Sequence, residues 1–236
     1  MNFARLLITG ASRGLGAALA RQAAARGHSL FLVARNGEEL AQRAGDLQRS
    51  GARIVTYVAD LRSAETCRAT IEAATAALGG VDALINNAGI GAYRPFVDYS
   101  AQAIDEVLAL NLAAPMQLAR VVLPQWLERG RGYLVNVASD LARRPLANMT
   151  PYVASKFGLM GFGASLHKEV RARGIKVTTV CPGIIDSAFN DAQEGSKDRQ
   201  WALPTDDLAA RVIDLLHLPL HVTVDELTVH PADGDY

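Results

Sequence analysis

Tyr152 and Lys156 stand four positions apart in the segment Tyr152-Val153-Ala154-Ser155-Lys156. In a helix that spacing puts the phenol and the ammonium on one face, about a turn apart. A phenol can give and take a proton, but its ordinary pKa of about 10 is too high for efficient transfer near neutrality. A neighbouring cation favours phenolate and is expected to bring that value down. The pair is therefore a candidate acid/base centre acting on an oxygen. Tyr-x-x-x-Lys alone is common by chance, so its surroundings decide the matter.

The elements that must position the pair can be read from the hydrophobic pattern. Short apolar runs at Leu6–Thr9, Ser29–Val33, Ile54–Val58, Ala83–Ile85, Tyr133–Ala138, Val177–Cys181 and Leu227–His230 are candidate strands. Several are apolar throughout, as strands covered on both faces are. Between them lie helical segments: Leu15–Arg26, Glu38–Arg49, Ala64–Leu78, Ala101–Arg129 and Tyr152–Arg173. A last helix is expected from Thr205, capped by its hydroxyl, with Asp206 and Asp207 in the first turn. This alternation predicts an α/β fold, a doubly wound parallel sheet with helices on both faces, in one domain over 1–236. The longest irregular stretch, within 184–204, is expected to be a substrate lid.

The first strand runs into Thr9-Gly10-Ala11-Ser12-Arg13-Gly14-Leu15-Gly16, where a helix begins at once. Glycines at such a corner allow a tight turn and close approach of the backbone to a pyrophosphate, which the helix N-terminus attracts. A corner that binds nothing is the plain alternative. The second strand ends Val33-Ala34-Arg35-Asn36, without the acid that usually holds a ribose 2′-hydroxyl. Arg35, with Arg13 in the glycine turn, can pair with a 2′-phosphate instead, although both arginines could simply be solvated. NADP(H) is therefore favoured, with NAD(H) possible.

Further candidates fall where strands end at their carboxyl edge, the ligand edge of open parallel sheets. Ser139 follows the fifth strand, Asn86-Asn87-Ala88-Gly89 the fourth, and Pro182-Gly183 ends the sixth, while Asn111 lies in the long helix between. Each has a structural explanation: a capping serine, an asparagine turn, a buried helical amide, a strand-ending proline. Together, in this order, they resemble the short-chain dehydrogenase/reductase family over essentially the whole chain. The resemblance rests on Thr9–Gly16, Asp60-Leu61, Asn86–Gly89, Asn111, Ser139, Tyr152 with Lys156, and Pro182-Gly183.

That likeness implies a Rossmann-type seven-stranded sheet and a catalytic set of Asn111, Ser139, Tyr152 and Lys156. It further implies that Asp60 contacts adenine, Lys156 holds the nicotinamide ribose and Asn111 positions a water in a proton relay. Leu61, Asn87, Ala88, Gly89, Pro182, Gly183, Ile185 and Ser187 complete the implied cofactor set, Ser187 standing where the family often has threonine. The implied reaction is hydride transfer between NADPH and a carbonyl (ketone, aldehyde or 3-oxoacyl) or its alcohol. It also implies contact between subunits, in a homodimer or homotetramer, through the helices Ala101–Arg129 and Tyr152–Arg173. Gly158, Gly161 and Gly163 allow such close packing, and Phe157, Leu159, Met160 and Phe162 beside them need burial, whether between subunits or within the chain.

Composition bounds the rest. Among 236 residues, 24 Lys and Arg balance 24 Asp and Glu, which gives nucleic acid or an anionic membrane no electrostatic handle. No unbroken apolar run approaches bilayer length and no signal-peptide core is seen, so a cytoplasmic enzyme is expected. Cys67 and Cys181 lack metal-ligand spacing and are expected to be reduced core thiols, with no metal site. A dinucleotide-sensing protein without chemistry has little need of Tyr152, Lys156, Ser139 and Asn111 together. A methyltransferase using adenosylmethionine normally has an acid where Arg35 stands. Ile184, Ile185, Phe189, Trp201, Leu141 and Leu146 suggest a partly apolar substrate pocket. Arg94, Arg143 and Arg144 could meet an anionic substrate, solvation being the favoured reading.

Overall fold

A computed structural model describes residues 3–187, 189, 195–198 and 200–233. The strands are β1 (Arg5–Thr9), β2 (Ser29–Ala34), β3 (Ile54–Val58), β4 (Ala83–Asn86), β5 (Gly132–Val137), β6 (Ile175–Pro182), β7 (Ile185–Asp186), β8 (Leu203–Pro204) and β9 (Glu226–Val229). Seven of them form one parallel sheet in the order β3-β2-β1-β4-β5-β6-β9. These are the seven runs read from the sequence, with ends displaced by two residues at most.

Helices α1 (Gly14–Ala25), α2 (Gly37–Leu47), α3 (Ala64–Leu78), α4 (Ala101–Leu108), α5 (Ala114–Arg129), α6 (Thr150–Val170) and α7 (Thr205–Leu215) cover the sheet. Alternation along each strand sorts the core into two layers. Leu6, Ile8, Leu30 and Leu32 pack with α1, α2 and α7. Leu7, Phe31, Val33 and Leu84 pack with α3, α5 and α6. Burial on both faces is why Leu6–Ile8 of β1 and Leu30–Val33 of β2 are apolar at every position, each full burial of a large side chain stabilising by roughly 1.5–3 kcal/mol.

β1 lies between β2 and β4, so the strand order reverses at its carboxyl end. Connections leave in opposite directions there and open a crevice.

Three expectations are corrected. The helix read over Ala101–Arg129 widens into a π-type turn at Ala109–Ala113, which carries Asn111. π turns of this kind re-aim a side chain and concentrate at functional sites. The same stretch is also long and apolar enough to span a bilayer by length and composition, which counting unbroken apolar runs did not reveal. Its Leu118, Ala119, Val122 and Trp126 are instead buried in the layer shared with α3. Thr205 does not cap α7 but is its first residue, with Pro204 at the cap position and no side-chain cap. Asp206 and Asp207 occupy the first turn as expected, and Asp206 pairs with Arg21 of α1 at 2.7 Å. Finally, the stretch 184–204 is not structureless at its ends. Ile185 and Asp186 pair in parallel with Leu203 and Pro204. Positions 188, 190–194 and 199 of this expected lid lie outside the described residues.

Candidate active site

The glycine turn is built for close approach. Gly10 and Gly14 have φ of +66° and +53°, a left-handed backbone that favours glycine. A Cβ on Gly16 would stand 2.0 Å from the Gly10 carbonyl oxygen, and one on Gly10 would stand 2.9 Å from Cα of Ala88. Arg13, at the N-cap of α1, gives no side-chain cap, and no acid occupies the first turn. The positive helix end therefore faces the crevice with no acid in its own first turn to neutralise it.

The turn is fastened to the end of β4. The Thr9 hydroxyl oxygen accepts from the backbone N–H of Asn87 and of Ala88, each at 3.0 Å, and Asn87 Nδ2 donates to the Thr9 carbonyl at 2.9 Å. Asn87 thus frames the crevice from behind. Asn86 turns away, donating to Asn136 Oδ1 of β5 at 3.0 Å.

Tyr152 and Lys156 lie in the first turns of α6, and both are buried. Lys156 Nζ donates to the Val137 carbonyl at 2.8 Å, where β5 ends, and lies 5.5 Å from the centre of the Tyr152 ring. Ser139 sits two residues past β5, and its Oγ accepts from Leu141 N at 3.2 Å. The capping role considered for Ser139 is real, and it coexists with a place in the crevice.

Burial dominates the electrostatics. It pushes the Tyr152 phenol up to about 12, opposed by a hydrogen bond from Ser139 and reinforced by the charge of Asp140. It pushes the Lys156 ammonium down to about 8. The expected lowering of the tyrosine by its lysine is therefore not found in the protein alone. The ammonium is spent on a backbone carbonyl, and desolvation outweighs its field.

Asn111, in the π turn, is buried behind the crevice and does not line it. Its Oδ1 accepts from Ile90 N at 2.9 Å, while Nδ2 donates to the Ile90 carbonyl at 2.8 Å and to Ser155 Oγ at 3.1 Å. Ser155 Oγ donates in turn to the Tyr152 carbonyl at 2.6 Å. The chain Ile90–Asn111–Ser155–Tyr152 joins the loop after β4 to the start of α6. Asp60 also does not line the crevice. Arg62 grips its carboxylate through Nε at 2.9 Å and Nη2 at 2.6 Å, and this contact holds the carboxyl below the usual carboxylate range.

The other expected residues are brought together. One cleft of about 880 Å³ runs from the glycine turn to Tyr152. Gly10, Ser12, Arg13, Gly14, Leu15 and Gly16 line one end, with Arg35 and Leu61 beside them. Asn87, Ala88 and Gly89 line its middle, facing Pro182, Gly183, Ile185 and the buried Ser187. Ser139, Tyr152 and Lys156 stand beyond. There the wall turns apolar, with Leu141, Pro145, Leu146, Met149, Ile184 and Phe189. The Phe189 ring tilts against Tyr152, centres 5.6 Å apart.

Of the three arginines read as solvated, Arg143 pairs with Glu226 and Arg94 stacks 4.8 Å from the Tyr99 ring centre. Arg144 lies on the cleft wall, as does Lys197. Sequence reasoning passed over Lys197, Ser155 and Asp140. Ser155 carried a usable signal, since its i+3 position from Tyr152 puts it near the phenol's own turn. Asp140 carried only its adjacency to Ser139.

Comparison with known proteins settles the ancestry of this arrangement. The short chain dehydrogenase family model matches residues 4–198. The chain belongs to the short chain dehydrogenase family. It is accordingly an oxidoreductase acting between CH–OH and C=O groups. It is 36% identical over 180 residues to the ketoacyl reductase HetN of Nostoc sp., a match covering 76% of this chain and 63% of HetN. It is 32% identical to an uncharacterized oxidoreductase of Staphylococcus aureus over 96% of both chains. Among solved structures it resembles the alcohol dehydrogenase of the archaeon Thermococcus sibiricus complexed with 5-hydroxy-NADP, with a TM-score of 0.92 and 27% identity over 98% of this chain and 97% of that one. An actinorhodin polyketide ketoreductase variant with NADPH superposes with a TM-score of 0.88 and 29% identity, over 98% and 97% of the two chains.

Proposed function

We propose that this short chain dehydrogenase is an NADPH-dependent reductase of ketones, aldehydes or 3-oxoacyl groups, reversible with the alcohol, in which Tyr152 is the general acid/base. The observation that carries the proposal is the continuity of one cleft. It joins a glycine turn that admits no Cβ to a buried phenol with a serine hydroxyl beside it.

The residues fit a dinucleotide. Gly10, Ser12, Gly14, Leu15 and Gly16 would hold the pyrophosphate with backbone N–H groups, and Arg13 and Arg35 would take a 2′-phosphate. Relatives that bind NADP or NADPH support the same choice. Leu61 and Ala88 would flank the adenosine half, and Gly89, Pro182, Gly183, Ile185 and Ser187 the nicotinamide half. When bound, the cofactor supplies or accepts the hydride.

The chain's own part is positioning and proton transfer. Ser139 and Tyr152 hold the substrate oxygen, and Tyr152 gives that oxygen its proton in reduction. A phenol held at about 12 is fully protonated at neutral pH, the form that reduction requires. Lys156, pushed down to about 8, can give and regain a proton within the physiological range and so replenish the tyrosine. Asn111 holds the Ile90 loop and α6 in register and needs no direct contact with substrate. The apolar wall favours a medium-sized hydrophobic carbonyl compound.

Several broader readings go with this. The chain acts as one dinucleotide-binding and catalytic unit with 184–204 as its lid. Two buried free thiols, Cys67 and Cys181, suit a reducing cytoplasm. A homodimer or homotetramer is supported by exposed Met116 and Phe157 and by Gly161, which has open space where a Cβ would stand. Gly158 and Gly163 serve the chain itself, packing on Leu112 and Thr179.

The test is a turnover screen with NADPH and NADH against aliphatic and aryl ketones, aldehydes and 3-oxoacyl thioesters. NADPH oxidation with at least one carbonyl class is expected. Tight NADPH binding without turnover of any class counts against it.

A further inference from the structure

Gly91, in the loop after β4, lies against Tyr152 with no side chain of its own. A Cβ there would stand 2.9 Å from Tyr152 Cδ2 and 3.1 Å from Phe189 Cζ. The glycine thus leaves two aromatic rings to share one narrow space. The centres of Phe189 and Tyr152 are 5.6 Å apart, with the ring planes inclined at 56°. Phe189 is 37% exposed, so its ring packs on the phenol and also forms cleft wall.

The cleft has a second apolar side near the phenol. Leu141, Leu146 and Met149 line it, and all three belong to the segment joining Ser139 to Tyr152. Gly91 and Phe189 come from elsewhere, the loops after β4 and β7. A carbonyl bonded through its oxygen to Ser139 and Tyr152 carries two substituents, and these two sides differ in what they can receive.

We propose that Phe189, seated on Gly91, is a specificity-determining residue that restricts one substituent of the substrate carbonyl to hydrogen or methyl. The larger apolar group goes to Leu141, Leu146 and Met149. The preferred substrates are then aldehydes, methyl ketones and, among 3-oxoacyl compounds, those that end in a methyl. The inference rests on the reading of Tyr152 as proton donor to that carbonyl. The restriction is steric. A longer chain on the Phe189 side has to displace a ring that is packed on the proton donor itself. It loses the alignment of the carbonyl as well as contact, so kcat/KM falls.

The test compares methyl heptyl ketone with its isomer dibutyl ketone, which has the same atoms with the carbonyl at mid-chain. Wild type, Phe189→Ala and Phe189→Leu are assayed for kcat/KM with NADPH, and Tyr152→Phe is the control. A second readout involves no turnover: the Kd of each ketone for protein saturated with NADP, by saturation-transfer NMR titration. Wild type is expected to prefer methyl heptyl ketone by roughly tenfold or more in kcat/KM. Phe189→Ala brings the two ketones within about threefold through a gain on dibutyl ketone, and Phe189→Leu falls between. The Kd ratio moves in the same direction. Equal rates for the isomers in wild type, a preference for dibutyl ketone, or a ratio that Phe189→Ala leaves unchanged overturns the role of Phe189. Each of these leaves the tyrosine assignment standing. Should wild type reduce other carbonyl compounds but neither ketone, Phe189→Ala has to admit methyl heptyl ketone, and its failure to do so also overturns the role. Turnover of no carbonyl class, or full activity of Tyr152→Phe, overturns the reductase reading itself, and the role of Phe189 falls with it.

Discussion

Asn111 satisfies both main-chain polar groups of Ile90, taking its N–H at 2.9 Å and reaching its carbonyl at 2.8 Å. The same amide also bonds Ser155, and so ties the loop after β4 to the start of α6. Replacing Asn111 with Ala leaves an N–H, a carbonyl and a hydroxyl short of partners in a buried place. The expected cost is about 2–4 kcal/mol. Differential scanning calorimetry should then show a Tm lower by roughly 5–15 °C. An unchanged Tm means the Ile90 loop is held by other contacts.

Arg35 lines the end of the cleft where β2 stops, and no acid stands at that strand's tip. Arg35→Ala removes a charge-assisted contact that only the 2′-phosphate offers. The KM for NADPH is expected to rise roughly tenfold to a hundredfold while that for NADH stays nearly constant. Equal changes for both cofactors place the arginine's role elsewhere.

Gly16 cannot carry a side chain without parting α1 from the glycine turn, given the 2.0 Å separation its Cβ would have from the Gly10 carbonyl. Gly16→Ala should weaken NADPH binding by more than about tenfold in isothermal titration. Gly161→Ala serves as the comparison, since its Cβ meets open space, and is expected to leave cofactor affinity intact.

His28 is fully buried, its Nδ1 at 2.8 Å from the Phe3 carbonyl, and burial pushes its pKa down from 6.5 to about 4. Below pH 6.5 the unfolded chain takes up a proton that the folded chain refuses, so stability falls as pH drops from 6.5 towards 4. The full effect is roughly 3 kcal/mol. His28→Asn, whose amide can still donate to Phe3, should flatten that part of the Tm–pH curve. An identical slope in both proteins assigns the acid sensitivity to other groups.

The sheet was legible in the residues because strands buried on both faces must be apolar throughout, as Leu6–Ile8 and Leu30–Val33 are. The glycine turn was legible because no other residue type tolerates φ of +66° beside so close a backbone. The π turn was not, since Ala109–Ala113 has an ordinary helical composition and its widening depends on where Asn111 finds partners. Asp60 was placed by resemblance at the adenine, but a local arginine two residues on holds its carboxylate. The upward push on Tyr152 was hidden for a further reason. Spacing reveals that a lysine is near, but not that its ammonium is bonded to Val137.

The central claim is that the Tyr152 hydroxyl supplies the proton, and Tyr152→Phe tests it most directly. Removing one oxygen leaves the ring against Phe189 and the glycine turn untouched. Steady-state kinetics should show kcat for carbonyl reduction lower by roughly 10²–10⁴-fold, with the thermal shift given by NADPH unchanged. A variant that binds NADPH normally and reduces the same compound at the wild-type rate contradicts the account.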